Sequence, residues 1–322
     1  MMRVIYKKNV EAAESMEGCI LKTLTYFSIF EYPLTKDELK RFLSPAADPG
    51  SFENALARLT EEKIIFKIED LYLLQDNREL VKRRREGNLR AERLLVKAMK
   101  IGKFLSKFPY VRGIAISGSL SKRYAGEKAD IDFFIITKAS RLWIARTFMH
   151  LFKKLTFLTG TQHFYCMNYY LDEKALKLRE QNIYTAVETI TLLPVCGESM
   201  HDFFAANNWV GEWFADYSLM IKNQQHHVKR SWLKKIFEWL FNNNPLDNYL
   251  MKLTSRRWKK KQEKRTLNSE GKEMALITGK HFAWSNPGSF QEKVIGLYNK
   301  KLTDLKSTWP EHFEIVNSSF EE

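Results

Sequence analysis

Residues 118–136 read GSLSKRYAGEKADIDFFII, and they follow the short apolar run Val111 to Ser117. Val111 to Ser117 has the length and composition of a buried strand, and the Gly118-Ser119 pair stands where that strand would turn into a helix. Glycine there permits close backbone approach and unusual dihedrals. The N–H groups that follow, at a helix start, can face phosphate oxygens. Twelve positions after Gly118, Asp130-Ile131-Asp132 opens a second apolar run, Phe133 to Ile136. Side chains alternate along a strand, so Asp130 and Asp132 share one face while Ile131 points into the sheet. Two carboxylates side by side at a strand edge repel each other unless a cation lies between them. Hard oxygen ligands favour magnesium or manganese over softer metals.

This arrangement resembles the nucleotidyltransferase superfamily typified by DNA polymerase beta, whose pattern is an apolar strand, Gly-Ser or Gly-Gly, a variable stretch, then Asp-x-Asp or Asp-x-Glu on the next strand. ISGSLSKRYAGEKADIDFFII matches that pattern over about 25 residues, and the likeness extends more loosely from Val111 to Leu171. The resemblance implies a mixed sheet with helices. Gly118 and Ser119 take the phosphate-side positions, and Asp130 and Asp132 those of the paired, catalytic metal ligands. Lys122 and Arg123, one helical turn past Gly118, become candidates for triphosphate oxygens. The implied chemistry is transfer of a nucleoside monophosphate from a nucleoside triphosphate to an acceptor hydroxyl. In that scheme two ions about 3.5 to 4 Å apart activate the hydroxyl and neutralise the leaving pyrophosphate.

Active members of the superfamily usually carry a third carboxylate on a later strand. Here that strand corresponds to Phe164 to Leu171, whose interior holds Asn168, an amide with a carbonyl oxygen but no charge. Asp172 and Glu173, just past the apolar run, are the nearest replacements, and Asp172 is taken as the third catalytic acid. Glu188 is the weaker candidate, because packing at Ala186, Val187 and Ile190 already explains its helix.

Outward from this centre the chain divides into four parts: 1–76, a basic connecting helix at 77–108, the nucleotidyltransferase-like domain at 109–200, and a C-terminal helical region at 201–322. In the first, apolar spacing from Ile20 to Phe30 gives a helix. Thr35 with Glu38 has the form of a capping box, and Phe52, Ala55, Leu56 and Leu59 give a third helix. Two short strands then flank Glu69 and Asp70. Three helices followed by a hairpin resemble a winged helix. The third helix, SFENALARLTEEK, sets Glu53, Glu61 and Glu62 against Arg58 and Lys63. That balance suits packing better than groove reading, which leans on Arg, Lys, Asn and Gln. The fold class expected is therefore α/β (α+β), with a winged-helix-like domain ahead of the mixed sheet and helices behind it. Tyr184 to Leu193 reads as a helix ended near Pro194, and Trp232, Ile236, Trp239 and Leu240 as an apolar stripe among lysines. Such a stripe suits a core-facing helix, with a membrane interface as the alternative.

Of the 322 residues, 44% are hydrophobic and 13% aromatic, which excludes a disordered chain. Cys19, Cys166 and Cys196 stand far apart, outside any zinc-type or disulfide pattern. No apolar run is long enough to span a membrane, and the first residues lack an export signal. A cytoplasmic location is expected. The net charge of +14 favours polyanions, nucleic acid among them. Its bases concentrate in Arg78 to Lys107, which has 11, and Lys229 to Arg265, which has 12. Two functions follow. One is a magnesium-dependent nucleotidyltransferase. The other is a nucleotide-binding or nucleic-acid-associated protein that kept the fold and lost the chemistry.

Overall fold

In the computed structural model, residues 15–44, 49–217, 232–264, 275–285 and 287–313 are described. The N-terminal unit comprises α1 (Met16–Ser28), β1 (Leu34–Thr35), α2 (Lys36–Arg41), α3 (Phe52–Glu61), β2 (Phe66–Ile68) and β3 (Leu71–Leu73). Its three strands are antiparallel in the order β1-β3-β2. The capping box read from the sequence is formed: Glu38 N–H donates to Thr35 Oγ1 at 3.2 Å and Thr35 N–H to Glu38 Oε2 at 2.9 Å. Residues 45–48, between α2 and α3, lie outside the described residues.

A single helix, α4 (Arg78–Leu105), connects this unit to a six-stranded mixed sheet. β4 (Val111–Ser117) leads through a one-turn helix, α5 (Gly118–Ser121), and a loop into β5 (Asp132–Thr137). The two strands are antiparallel, with Ile114 opposite Ile135 and Ser117 opposite Asp132. α6 (Leu142–Thr156) crosses over to β6 (Cys166–Asp172), which lies parallel to β5, a pairing that needs such a crossover.

Beyond β6 the expectations need correcting. α7 (Ile183–Thr191) ends before Leu193, and β7 (Leu193–Cys196) then pairs with β4 as an edge strand, where Pro194 is tolerated. α8 (Ser199–Ala206) follows. The remainder of the chain is not purely helical: β8 (Leu276–Gly279) and β9 (Phe282–Ser285) form a hairpin that extends the sheet beyond β6. The strand order is β7-β4-β5-β6-β9-β8. Alternation sorts the strand residues into two cores. Ile114, Ile116, Phe133, Ile135 and Tyr170 pack under α4 and α6 with fully buried Trp143. Ala115, Phe134, Ile136 and Leu171 face α7, α8 and the last long helix, Phe290–Thr308, in a core continuous with the N-terminal unit.

Among the described residues no helix is long and apolar enough to cross a membrane. The stripe expected to face the core does not. In the helix Trp232–Leu240, Trp232 is 68% and Trp239 80% exposed, and Ile236 and Leu240 are exposed with them. The ends of the second basic segment, 229–231 and 265, lie outside the described residues.

Candidate active site

The end of β4, the start of β5 and the start of β6 lie side by side, and the Gly-Ser and Asp-x-Asp halves of the motif meet there. Gly118 has φ +69°, and a Cβ on it would stand 2.6 Å from Asp132 Oδ2. No other residue lets this backbone approach the carboxylate so closely. Ile131 is fully buried, and its backbone is pinned on both sides: its N–H donates to His163 O and its carbonyl accepts from Cys166 N–H, each at 3.1 Å. The buried isoleucine thus fixes the two flanking acids. Asp130 precedes the strand and is exposed, while Asp132 is the strand's first residue.

Both acids meet the start of β6. Cys166 Sγ lies 3.5 Å from Asp130 Oδ2, and Asn168 Nδ2 donates to Asp132 Oδ1 at 2.5 Å. Asn168 owes its position to a bulge. Phe133 is opposite Met167 and Phe134 opposite Tyr169, so Asn168 is the extra residue, re-aimed at the neighbouring strand. Burial pushes the Asp132 carboxyl up to about 7, and the charges of Asp130 and Glu188 push the same way against Lys153 and Lys122. The Cys166 thiol is pushed up to about 12, mainly by burial. It stays protonated at neutral pH and is no nucleophile.

Lys122 reaches back across the turn, donating to Gly118 O at 3.1 Å and to Glu188 Oε1 at 2.8 Å. Glu188 is therefore part of this site. Its neighbours Ala186, Val187 and Ile190 explain the helix without it, which ranks it low on sequence alone. The other face of α7 carried the signal: Tyr184, Thr185, Glu188, Thr189 and Leu192 recur at helical spacing and line one pocket. Ser119 is exposed beside Gly118. Arg123 occupies a left-handed turn (φ 57°), and its charge acts on Glu38 and Arg41 of the N-terminal unit.

Asp172 does not join them. It pairs with Thr137 at the other end of β5 and β6, six residues or about 20 Å from Cys166. It is fully buried, accepting from Ser140 N–H at 2.7 Å and Lys174 N–H at 2.9 Å, and it faces His281 Nδ1 at 2.7 Å. Glu173 is likewise distant, bonded to Ala139 N–H and Ser199 Oγ.

Two adjoining hollows open on the motif, of about 320 and 510 Å³, with Gly118, Asp132, Tyr184, Glu188 and Phe290 common to both. The floor of the first is a row of rings. Phe134 stacks on Tyr169, and Tyr169 on Trp284, each pair 5.2 Å apart between centroids. The second is walled by the N-terminal unit, where the Tyr32 hydroxyl donates to Lys122 O.

Among the described residues, no group of three or more His, Cys, Asp or Glu side chains is placed to hold a metal ion. The carboxylates that could hold an ion are the pair Asp130 and Asp132. That pair suits magnesium, which keeps several waters and is commonly held by one or two carboxylates together with substrate phosphates. No protein-family model matches the chain, and comparison with curated proteins and with solved structures likewise finds no match.

Proposed function

We propose that this protein is a magnesium-dependent nucleotidyltransferase, with manganese as the alternative ion, acting on a nucleoside triphosphate and an acceptor hydroxyl. The observation that carries the reading is the close approach of the Gly118 backbone to the Asp132 carboxylate, which brings the Gly-Ser and Asp-x-Asp halves of the motif together. The α4-β4-α5-β5-α6-β6 succession supports a nucleotidyltransferase-type sheet. The three helices and the β1-β3-β2 sheet support a winged-helix type for the N-terminal unit.

Asp130 and Asp132 would hold the ion, which supplies positive charge to the phosphates and acidifies the acceptor hydroxyl. The Gly118-Ser119 turn places the triphosphate, and the Phe134-Tyr169-Trp284 row offers the base an aromatic surface. The acceptor oxygen forms a bond to the α-phosphorus, the bond from that phosphorus to the bridging oxygen breaks, and pyrophosphate leaves. Glu188, oriented by Lys122, is the carboxylate left to accept the hydroxyl proton. The N-terminal unit serves as a wall of the pocket. Two charges on the exposed side of α3 are paired within the chain: Glu53 with Lys36 and Lys40, Arg58 with Glu62.

One observation favours the second reading, nucleotide binding without transfer: Asn168 occupies the position facing Asp132, and it donates an N–H there. The two readings separate in one measurement, pyrophosphate release alongside nucleotide binding for each of the four nucleoside triphosphates with and without magnesium. Release that requires magnesium and disappears in Asp130→Asn supports the enzyme. Magnesium-dependent binding without release supports the second reading, and absence of both refutes the site.

A further inference from the structure

The helix Trp232–Leu240 sits on the protein with Lys234 and Glu238 inward. Lys234 is buried, its Nζ donating to Ser106 O at 2.9 Å and Val111 O at 2.6 Å. Glu238 forms a two-pronged pair with Arg112, both bonds 2.8 Å, and accepts from Tyr110 N–H at 2.7 Å. Those contacts fix the helix at one rotation, and the rotation turns Trp232, Ile236, Trp239 and Leu240 to the outside. A helix held by its ionic groups and displaying its large apolar ones is the reverse of ordinary surface packing.

The exposed face continues onto α6. Phe148 joins the two helices through ring contacts with Phe237 and Phe241, and next to it Leu151 and Leu155 are more than half exposed. The end of α4 closes the third side, with Phe104 and Phe108 against Phe152. Contiguous apolar surface of this kind marks an interaction site.

The surrounding charge identifies the occupant. The sequence has no Asp or Glu from 93 to 126 or from 133 to 171, and only Glu238, already paired with Arg112, from 232 to 246. Lys103, Lys107, Lys154 and Lys235 are exposed around the face. A second copy of the chain would bring this basic rim against itself. Nucleic acid would satisfy the lysines and leave the leucines and Ile236 in water. A bilayer carrying anionic headgroups satisfies both, with aliphatic side chains below the headgroups, tryptophans at their level and lysines extended toward the phosphates.

We propose that this face, formed by the outer sides of the Trp232–Leu240 helix, α6 and the end of α4, docks the protein on an anionic membrane surface. The pocket proposed for nucleotide lies on the other face of the central sheet, beside Phe134 and Tyr169, so docking leaves it open.

The test is cosedimentation of the full chain with vesicles of phosphatidylcholine alone or of phosphatidylcholine and phosphatidylserine in a two-to-one ratio, with bromine-labelled acyl chains as tryptophan quenchers. The expected result is partitioning at least about tenfold stronger on the anionic vesicles, with fluorescence quenching. A Trp232→Ser, Trp239→Ser variant, altered only at exposed positions, should lose about tenfold of that binding while its circular dichroism and melting temperature stay those of the parent. Lys154→Glu with Lys235→Glu should weaken binding to the anionic vesicles alone. Failure of the parent to bind at low salt, binding without quenching, or binding undiminished in the tryptophan variant would overturn the proposal. So would a parent dimer that dissociates in that variant, which would assign the face to a second copy.

Discussion

The two ends of the β5-β6 pair each hold a carboxylate, and the protein treats them in opposite ways. At one end Asp172 is wholly enclosed and is completed by the fold, with two backbone N–H donors and an imidazole around it. At the other end Asp132 receives one amide N–H and stands near two further acids, Asp130 and Glu188. A buried acid with all its partners supplied is part of the architecture. A half-buried acid short of positive charge is what the proposed ion site requires. From one sequence the two aspartates look alike, and only the partners distinguish them.

The largest expected effect tests the deficient end. Asp130→Asn or Asp132→Asn should lower transfer about a thousandfold, roughly 4 kcal/mol of transition-state stabilisation, because each deletes a full ligand charge. Single-turnover pyrophosphate release measures it, and near-parental rates in both variants would remove the acid pair from the chemistry. The completed end should answer in stability instead. Asp172→Asn leaves donors facing an amide nitrogen in a buried place and should cost about 3 to 5 kcal/mol. Urea unfolding followed by tryptophan fluorescence reads this. If the variant unfolds like the parent while losing activity, the contrast between the two ends is reversed.

A third expectation concerns pH. The Asp132 carboxyl is raised to about 7 in the folded chain, against an unfolded value of about 3.9. A raised carboxyl is a stability contribution fully present below the unfolded value and lost as pH rises through the folded one. Without divalent ions the parent should therefore lose roughly 2 to 4 kcal/mol relative to Asp132→Asn between about pH 4 and pH 8. Magnesium with nucleotide should restore much of that loss. Parallel pH profiles for the two proteins would show that Asp132 carries no such strain.

The strands that build the site were legible because β4 and β5 are continuous apolar runs bounded by Gly-Ser and by Asp-x-Asp, and position along the chain coincides with position in the sheet. The capping box at Thr35 and Glu38 was legible for a similar reason, being local. What stayed hidden was long-range. Asp172 is next to the right strand but at the wrong end of it, and strand direction is set by the α6 crossover rather than by residue spacing. Glu188 lies 56 residues after Asp132 in the sequence and reaches the site only because α7 packs with Ala115 and Phe134 on one face of the sheet, just ahead of β7, a strand disguised by Pro194. The hairpin β8-β9 is short, and its pairing with β6 depends on contacts across about 110 residues, seen in Tyr169 opposite Trp284. The Trp232 helix had the right period and the wrong inward face, since two ionic contacts at Lys234 and Glu238 decide its rotation.

The smallest expected effect goes to the single group that separates the two functional readings. Asn168 is the bulged residue at the start of β6, already within hydrogen-bond distance of Asp132, so Asn168→Asp needs no new backbone. An added carboxylate has two consequences of opposite sign. Without metal it sets a further negative charge beside Asp132, raises that carboxyl further and should lower stability above about pH 7. With magnesium and nucleotide it adds a ligand charge, and transfer should rise about tenfold, near 1.4 kcal/mol. The same variant should therefore be less stable alone and faster when loaded, a pairing that a merely damaged site does not produce. A transfer rate that falls, with magnesium affinity unchanged, would mean that the Asn168 amide is itself required and that the site works with two acids as built. Loss of stability without any gain in magnesium affinity would place the ion elsewhere and make Asp132 an architectural acid like Asp172.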